Sequence, residues 1–141
     1  MLVHTNVVLA RIREIPALAS KTYALIAPKD ANGKLPASPF GVLYPADGID
    51  TAERLSGPRS AQHPRFTLHV VGSSYENVAT VTALIKARFV DEYGAPIPLV
   101  IPGWLVSDFQ WSSPIPIQLD RDVSPPIPFQ VIELGFTADP A

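Results

Sequence analysis

The chain contains no cysteine among its 141 residues. Disulfide staples and thiolate metal sites are therefore excluded, and the fold must be held by its own core or by its neighbours. Charge is scarce too: Asp, Glu, Lys and Arg supply 17% of the residues, against about a quarter in an average globular domain. A surface this poor in charge is expected to be covered in part by partners. Basic clusters are missing as well. The 11 Lys and Arg are outnumbered by 13 Asp and Glu, for a net charge of −2. Proteins that grip nucleic acid neutralise several phosphates with grouped basic side chains, and no such group occurs. The same lack argues against a polybasic membrane patch. No window approaches the ~20 apolar residues of a membrane helix. The start, Met1-Leu2-Val3-His4, has neither the basic region nor the apolar run of a signal peptide. The expectation is a soluble chain made in a cytosol, without a membrane partner.

What the chain has in excess is proline, 16 residues, nine of them at or after Pro96. Apolar segments lie between them, so the pattern predicts short strands broken by rigid connections rather than disorder. The length suits one domain able to bury a core. Along it, Val8, Ile12 and Ile15 recur at helical spacing and predict a helix over 4–15, capped by Thr5 and stopped by Pro16. Thr22–Ala27 and Phe40–Tyr44 read as two strands, paired as a hairpin if their long connection, with its Asn32-Gly33 turn, permits. Residues 46–64 form a long polar loop, expected to be exposed and to become ordered on docking.

The clearest local pattern follows. Phe66, Leu68 and Val70 alternate with Thr67 and His69, as in a half-buried strand. Ser73 and Glu76 fit a capping box. Val78, Val81, Ile85 and Phe89 then mark one stripe of a helix ending at Gly94. From residue 97 the chain reads as all β, with runs at Trp104–Trp111, around Ile115, Ile117 and Leu119, and from Ile127 to Phe136. In the last run the apolar phase shifts between Val131 and Ile132, which implies either a β-bulge or a strand buried on both faces. The predicted fold class is α+β: a single, mostly antiparallel sheet with two helices on one face.

Reactive constellations are sparse. The histidines are His4, His63 and His69, and no G-x-S-x-G elbow places a serine against a base. Val71-Gly72-Ser73-Ser74 leads into a helix but carries neither phosphate-loop motif, so it reads as a capping turn. Asp120-Arg121-Asp122 sets two carboxylates on one side of an extended chain; with no further ligand nearby in sequence, a charged contact arm or polar loop is favoured over a metal site. Arg54, Arg59 and Arg65, in and beside the polar loop, are candidate interface residues. Trp104, Phe109 and Trp111 read as core, with interface anchoring as the alternative. Neither a cofactor nor catalysis is expected.

The run His63-Pro64-Arg65-Phe66-Thr67-Leu68-His69-Val70-Val71-Gly72-Ser73-Ser74, with the helix to Phe89 after it, resembles the tail terminator proteins of long-tailed bacteriophages. Leu119-Asp120-Arg121-Asp122-Val123 and the closing strand Phe129-Gln130-Val131-Ile132 extend the likeness over most of the chain. The resemblance implies a virion protein forming a hexameric ring on the head-proximal end of the tail tube. Such a ring ends polymerisation of the tube protein, presents a surface to the head-tail connector, and lets DNA pass without sequence recognition. Another neck or head-completion protein, or a small non-catalytic ligand-binding module, is the alternative expectation.

Overall fold

The alternating run after Pro64 forms strand β3 (Arg65–Val71), the middle of one sheet. The computed structural model of the protein describes residues 2–46, 61–123 and 125–141. Two helices, α1 (Leu2–Ile12) and α2 (Tyr75–Phe89), accompany β1 (Thr22–Ala24), β2 (Phe40–Ala46), β4 (Trp104–Ser112), β5 (Gln118–Asp120) and β6 (Ile127–Pro140). The sheet order is β1-β2-β3-β6-β4, with β5 on the β4 side of β6. Every pairing but one is antiparallel. The α+β architecture expected from the sequence is therefore present. Phe66, Leu68 and Val70 pair with Leu134, Ile132 and Gln130, so one face of the sheet brings the large apolar side chains of β3 and β6 together. Val8, Leu9 and Ile12 of α1 and Val81, Ile85 and Phe89 of α2 close over that face in one buried cluster.

Several local expectations are corrected. Helix α1 starts and ends earlier than its stripe implied: Thr5 is buried inside it instead of capping it, and Ile15 is extended (φ −77°, ψ 120°) before a 3₁₀ turn at Pro16–Leu18. The residue before a proline is pushed out of the helical region by the ring, which sets this break one residue ahead of Pro16. Strands β1 and β2 are parallel, not a hairpin. The connection 25–39 is long enough for the crossover that parallel pairing needs. In α2 the N-cap is Ser74, one residue later than expected. Asn77 N–H donates to Ser74 Oγ (3.1 Å), and Asn77 Oδ1 in turn accepts from Ser73 N–H (3.1 Å). This helix ends at Phe89, and Gly94 (φ 81°) belongs to the turn beyond. Residues 97–103 are not a strand: Leu99 and Ile101 are buried, and the Arg11 guanidinium fastens this stretch by donating to Ile97 O (3.3 Å) and Pro98 O (2.8 Å). The middle C-terminal run shrinks to Gln118–Asp120, because Pro114 and Pro116 offer no N–H to a ladder. Of the polar loop 46–64, residues 47–60 lie outside the described residues. Its ends are structured: Ala46 closes β2, Ala61 is buried, and Gln62 exchanges both backbone hydrogen bonds with Ala138.

The apolar phase shift in β6 has its own resolution. Pairing with β3 runs unbroken from Phe129 to Gly135, so β6 carries no bulge there. Ile127, Phe129 and Val131 simply point to the other face. The bulge lies in the partner strand β4, where Asp108 and Phe109 oppose the single residue Phe136 and Asp108 adopts φ 53°. A bulge in an edge strand interrupts the row of unpaired backbone groups that would otherwise invite strand addition.

Close packing at Gly72 fixes the β3–α2 junction. A Cβ there would lie 2.6 Å from Val78 Cγ2 and 3.0 Å from Val78 N, the backbone of the first helical turn. Because the fully buried Val78 side chain and the Asn77 amide that bonds Ser73 N–H both have to shift to admit a methyl group, Gly72→Ala is expected to cost about 1–3 kcal/mol, read as a lower urea midpoint with an unchanged slope.

His4, on α1, is fully buried between Trp104 and Phe136, at ring distances of 4.9 and 5.8 Å. Its Nε2 donates to Gln62 Oε1 (2.9 Å), and Nδ1 has no partner among the described residues. Burial holds its pKa below the ordinary 6.5, against the opposing hydrogen bond to Gln62; burial lowers His69 in the same way. The unfolded chain thus binds more protons than the folded one below pH 6.5. Stability is expected to be flat above that pH and to fall as pH drops toward the folded-state values, by at most about 1.4 kcal/mol per pH unit for each histidine. Thermal unfolding at stepped pH measures this, and His4→Gln should remove that residue's share of the slope.

Candidate functional site

The face of the sheet opposite the helices is where function can be sought. Strand pairing places its side chains in rows across β2, β3 and β6: Phe40–Val71–Phe129, then Val42–His69–Val131, then Tyr44–Thr67–Glu133. Tyr23 joins them from β1, with its ring 6.4 Å from that of Phe40. Among the described residues, no helix covers this face. The first two rows are apolar apart from His69, whose ring lies 5.0 Å from Tyr44 and 6.0 Å from Phe129. Aromatic and aliphatic surroundings desolvate the imidazole, which is why its pKa is lowered and why it is neutral at pH 7.

Two chain segments rise beside these rows and turn the surface into a groove. On the β1 side, the connection 25–39 brings up Leu25, Ile26 and Leu35, which border an open volume of about 500 Å³ over Phe40, Val42 and His69. On the other, the turn between β5 and β6 brings up Leu119, Asp120, Arg121 and Asp122, enclosing about 440 Å³ over Phe40, Val71 and Phe129. Leu35, Phe40, His69 and Val71 line both volumes, so the two are halves of one groove. Its floor is hydrophobic, and one wall carries charge.

Asp120 ends β5, and its Oδ1 accepts from Asp122 N–H (3.0 Å), so the triplet forms a tight turn. The expectation of two carboxylates projecting together from an extended chain is corrected: the local hydrogen bond folds Asp120 back on its own backbone. Among the described residues no three His, Asp or Glu side chains converge as a metal site would require. His4 bonds Gln62 and His63 Nδ1 lies 3.2 Å from Thr137 Oγ1, so neither ring is set against a serine by these contacts.

Arg65 sits elsewhere. It opens β3 at the far end of the open face, where its guanidinium lies over Gly135 and donates to Pro64 O (3.2 Å) and Phe136 O (3.5 Å). With Thr67, Gln110, Ser112 and Glu133 it lines a recess of about 310 Å³. One end of the open face is thus polar and the other apolar. Arg65 and the Asp120–Asp122 turn border the same face, six residues apart along β3, which is roughly 20 Å at strand spacing. Arg54 and Arg59 lie outside the described residues. The groove floor, Phe40, His69 and Phe129, was missed as a site in the sequence. Its signal was the odd-numbered apolar set Phe129 and Val131, which only strand pairing places beside Val71 and His69. Trp104, Phe109 and Trp111 pack against the core, with Phe109 stacked on Phe89 at 5.7 Å, as the core reading expected.

No protein-family model matches the chain, and no curated protein matches it in sequence. Among the described residues, no helix is long and apolar enough to cross a membrane.

Proposed function

We propose that this chain is a non-catalytic structural subunit that assembles into a ring, of the kind that caps the tail tube of a long-tailed bacteriophage and joins it to the head connector. The observation that carries this reading is the uncovered sheet face. A single-layer sheet has its core on one side, and the apolar groove on the other leaves His69, Val71 and Phe129, around the buried Phe40, partly in contact with water unless a partner covers them. The scarcity of charge and the likeness around His63–Ser74 support the same reading. So does a net charge of −2, which suits a lumen through which DNA passes without being held. Ring closure requires a head-to-tail interface, in which two different patches of each copy meet. In this reading the partners are further copies of the chain, the tail tube protein and the connector, and no cofactor is needed.

Solution mass together with negative-stain images of the purified chain tests this. Small annular particles, or rings formed on addition of tube ends, are the expected result, and their position in the particle separates a terminator from another neck protein. A chain that stays monomeric with and without tubes refutes it. The apolar floor and charged rim of the 440 Å³ half of the groove favour a second reading, a small-ligand binding module. A monomer that binds a small apolar ligand saturably there would support it.

A further inference from the structure

The most exposed large apolar side chain described is that of Tyr93, at 87%. It stands on the turn that follows α2, and the turn is rigid. Asp91 Oδ1 accepts from Tyr93 N–H (2.9 Å) and Ala95 N–H (2.8 Å), Gly94 N–H donates to Asp91 O (3.1 Å), and Gly94 supplies the positive φ of 81°. A bridge between Val90 and Pro96 closes its base. An aromatic ring held out on a preorganised turn loses little conformational freedom when it docks, and Tyr is among the residues that dominate interfaces.

This projection lies diagonally opposite the groove. Phe89, at the end of α2, packs on the helix-covered face against Phe109 and Trp111, near the row Phe66–Leu134–Trp111. The groove lies on the other face, at the row Phe40–Val71–Phe129. The two rows are five residues apart along β3, roughly 16 Å, with the sheet between them. A single copy cannot place its own Tyr93 in its own groove, whereas a neighbour can, and such a contact is head-to-tail.

The charges match. Lys86 and Arg88 occupy the last turn of α2 beneath the projection, and the groove wall carries Asp120 and Asp122. Arg88 is held by an exposed 3.6 Å pair with the Glu14 carboxylate and a long 3.5 Å hydrogen bond to Glu14 O, contacts of the weak class. Glu92, beside Tyr93, is the acid left to meet Arg121, because the Asp91 carboxylate is occupied within its own turn.

We propose that the Asp91–Ala95 turn of one copy docks through Tyr93 into the open-face groove of the next, with Lys86 and Arg88 against Asp120 and Asp122. This rests on the ring reading above and names the two surfaces that meet. Sedimentation of the full chain is expected to show Tyr93→Ala raising the dissociation constant for self-association at least about 30-fold, with Tyr93→Phe restoring most of it. The absence of cysteine permits a second readout. Tyr93→Cys and Leu119→Cys chains, mixed with a short bis-maleimide, should give a dimer joining one of each, and the double variant a ladder ending at the ring. If the wild type assembles, Tyr93→Ala assembles equally, and no such product forms, this contact is overturned while the ring reading stands. A wild type that remains monomeric, with and without tube ends, overturns both.

Discussion

Phe66→Ala is expected to lower the stability of the monomer by about 3–5 kcal/mol, the cost of an unfilled aromatic cavity in a packed core. Phe66 is 1% exposed on the central strand, and its ring is stacked 6.0 Å from that of Phe136. It also joins β3 to the helices, so little of the space can collapse. Domains of this size have a net stability of about 5–15 kcal/mol, and the chain has no disulfide to limit its unfolded state. A loss of that size would remove most of the margin of a domain at the lower end of that range. Urea unfolding at 25 °C measures it. A change below about 1 kcal/mol would mean that Phe66 is not the centre of the core.

Val71→Lys should do the reverse. Val71 is on the same strand but on the open face, partly exposed in the groove floor. A lysine there can lay its stem over Phe40 and Phe129 and carry its ammonium out to water, so the monomer should lose less than about 1 kcal/mol. A partner covering the groove would have to bury that charge unpaired, and self-association should weaken by at least about 30-fold. Thermal melting and sedimentation on one sample separate the effects. A variant that assembles as the wild type does would show that the groove is not buried in the proposed assembly. Together the pair makes a face-specific test. One residue of β3 is expected to govern folding, and another, on the opposite face of the same strand, to govern the proposed assembly.

Much of the fold was legible in the residues because it is written in local periodicity. The stripe Val78, Val81, Ile85, Phe89 and the alternation Phe66, Leu68, Val70 each need only their own segment, and all seven are buried. The failures came where a neighbour in space decides. Ser73, with Glu76 three residues on, is the cap the sequence favours, and Ser74 took the place because it put Asn77 over the chain end. Parallel pairing of β1 with β2 cannot be read from either strand alone. The shift between Val131 and Ile132 looked like a bulge, yet it records two apolar faces on one regular strand, while the true bulge at Asp108 has no hydrophobic signature.

Composition and pattern thus determined by themselves that this is a cysteine-free α+β domain with one sheet, two amphipathic helices and little charge to keep its surface apart from partners. Which apolar side chains share the open face was decided only by tertiary structure. Side chains alternate across a strand, and pairing brings Phe40, His69, Val71 and Phe129, from three distant segments, to the side the helices leave open. Neither that adjacency nor the position of Tyr93 on the far face follows from any one stretch of chain, because strand register and helix placement arise from packing the core on the other side.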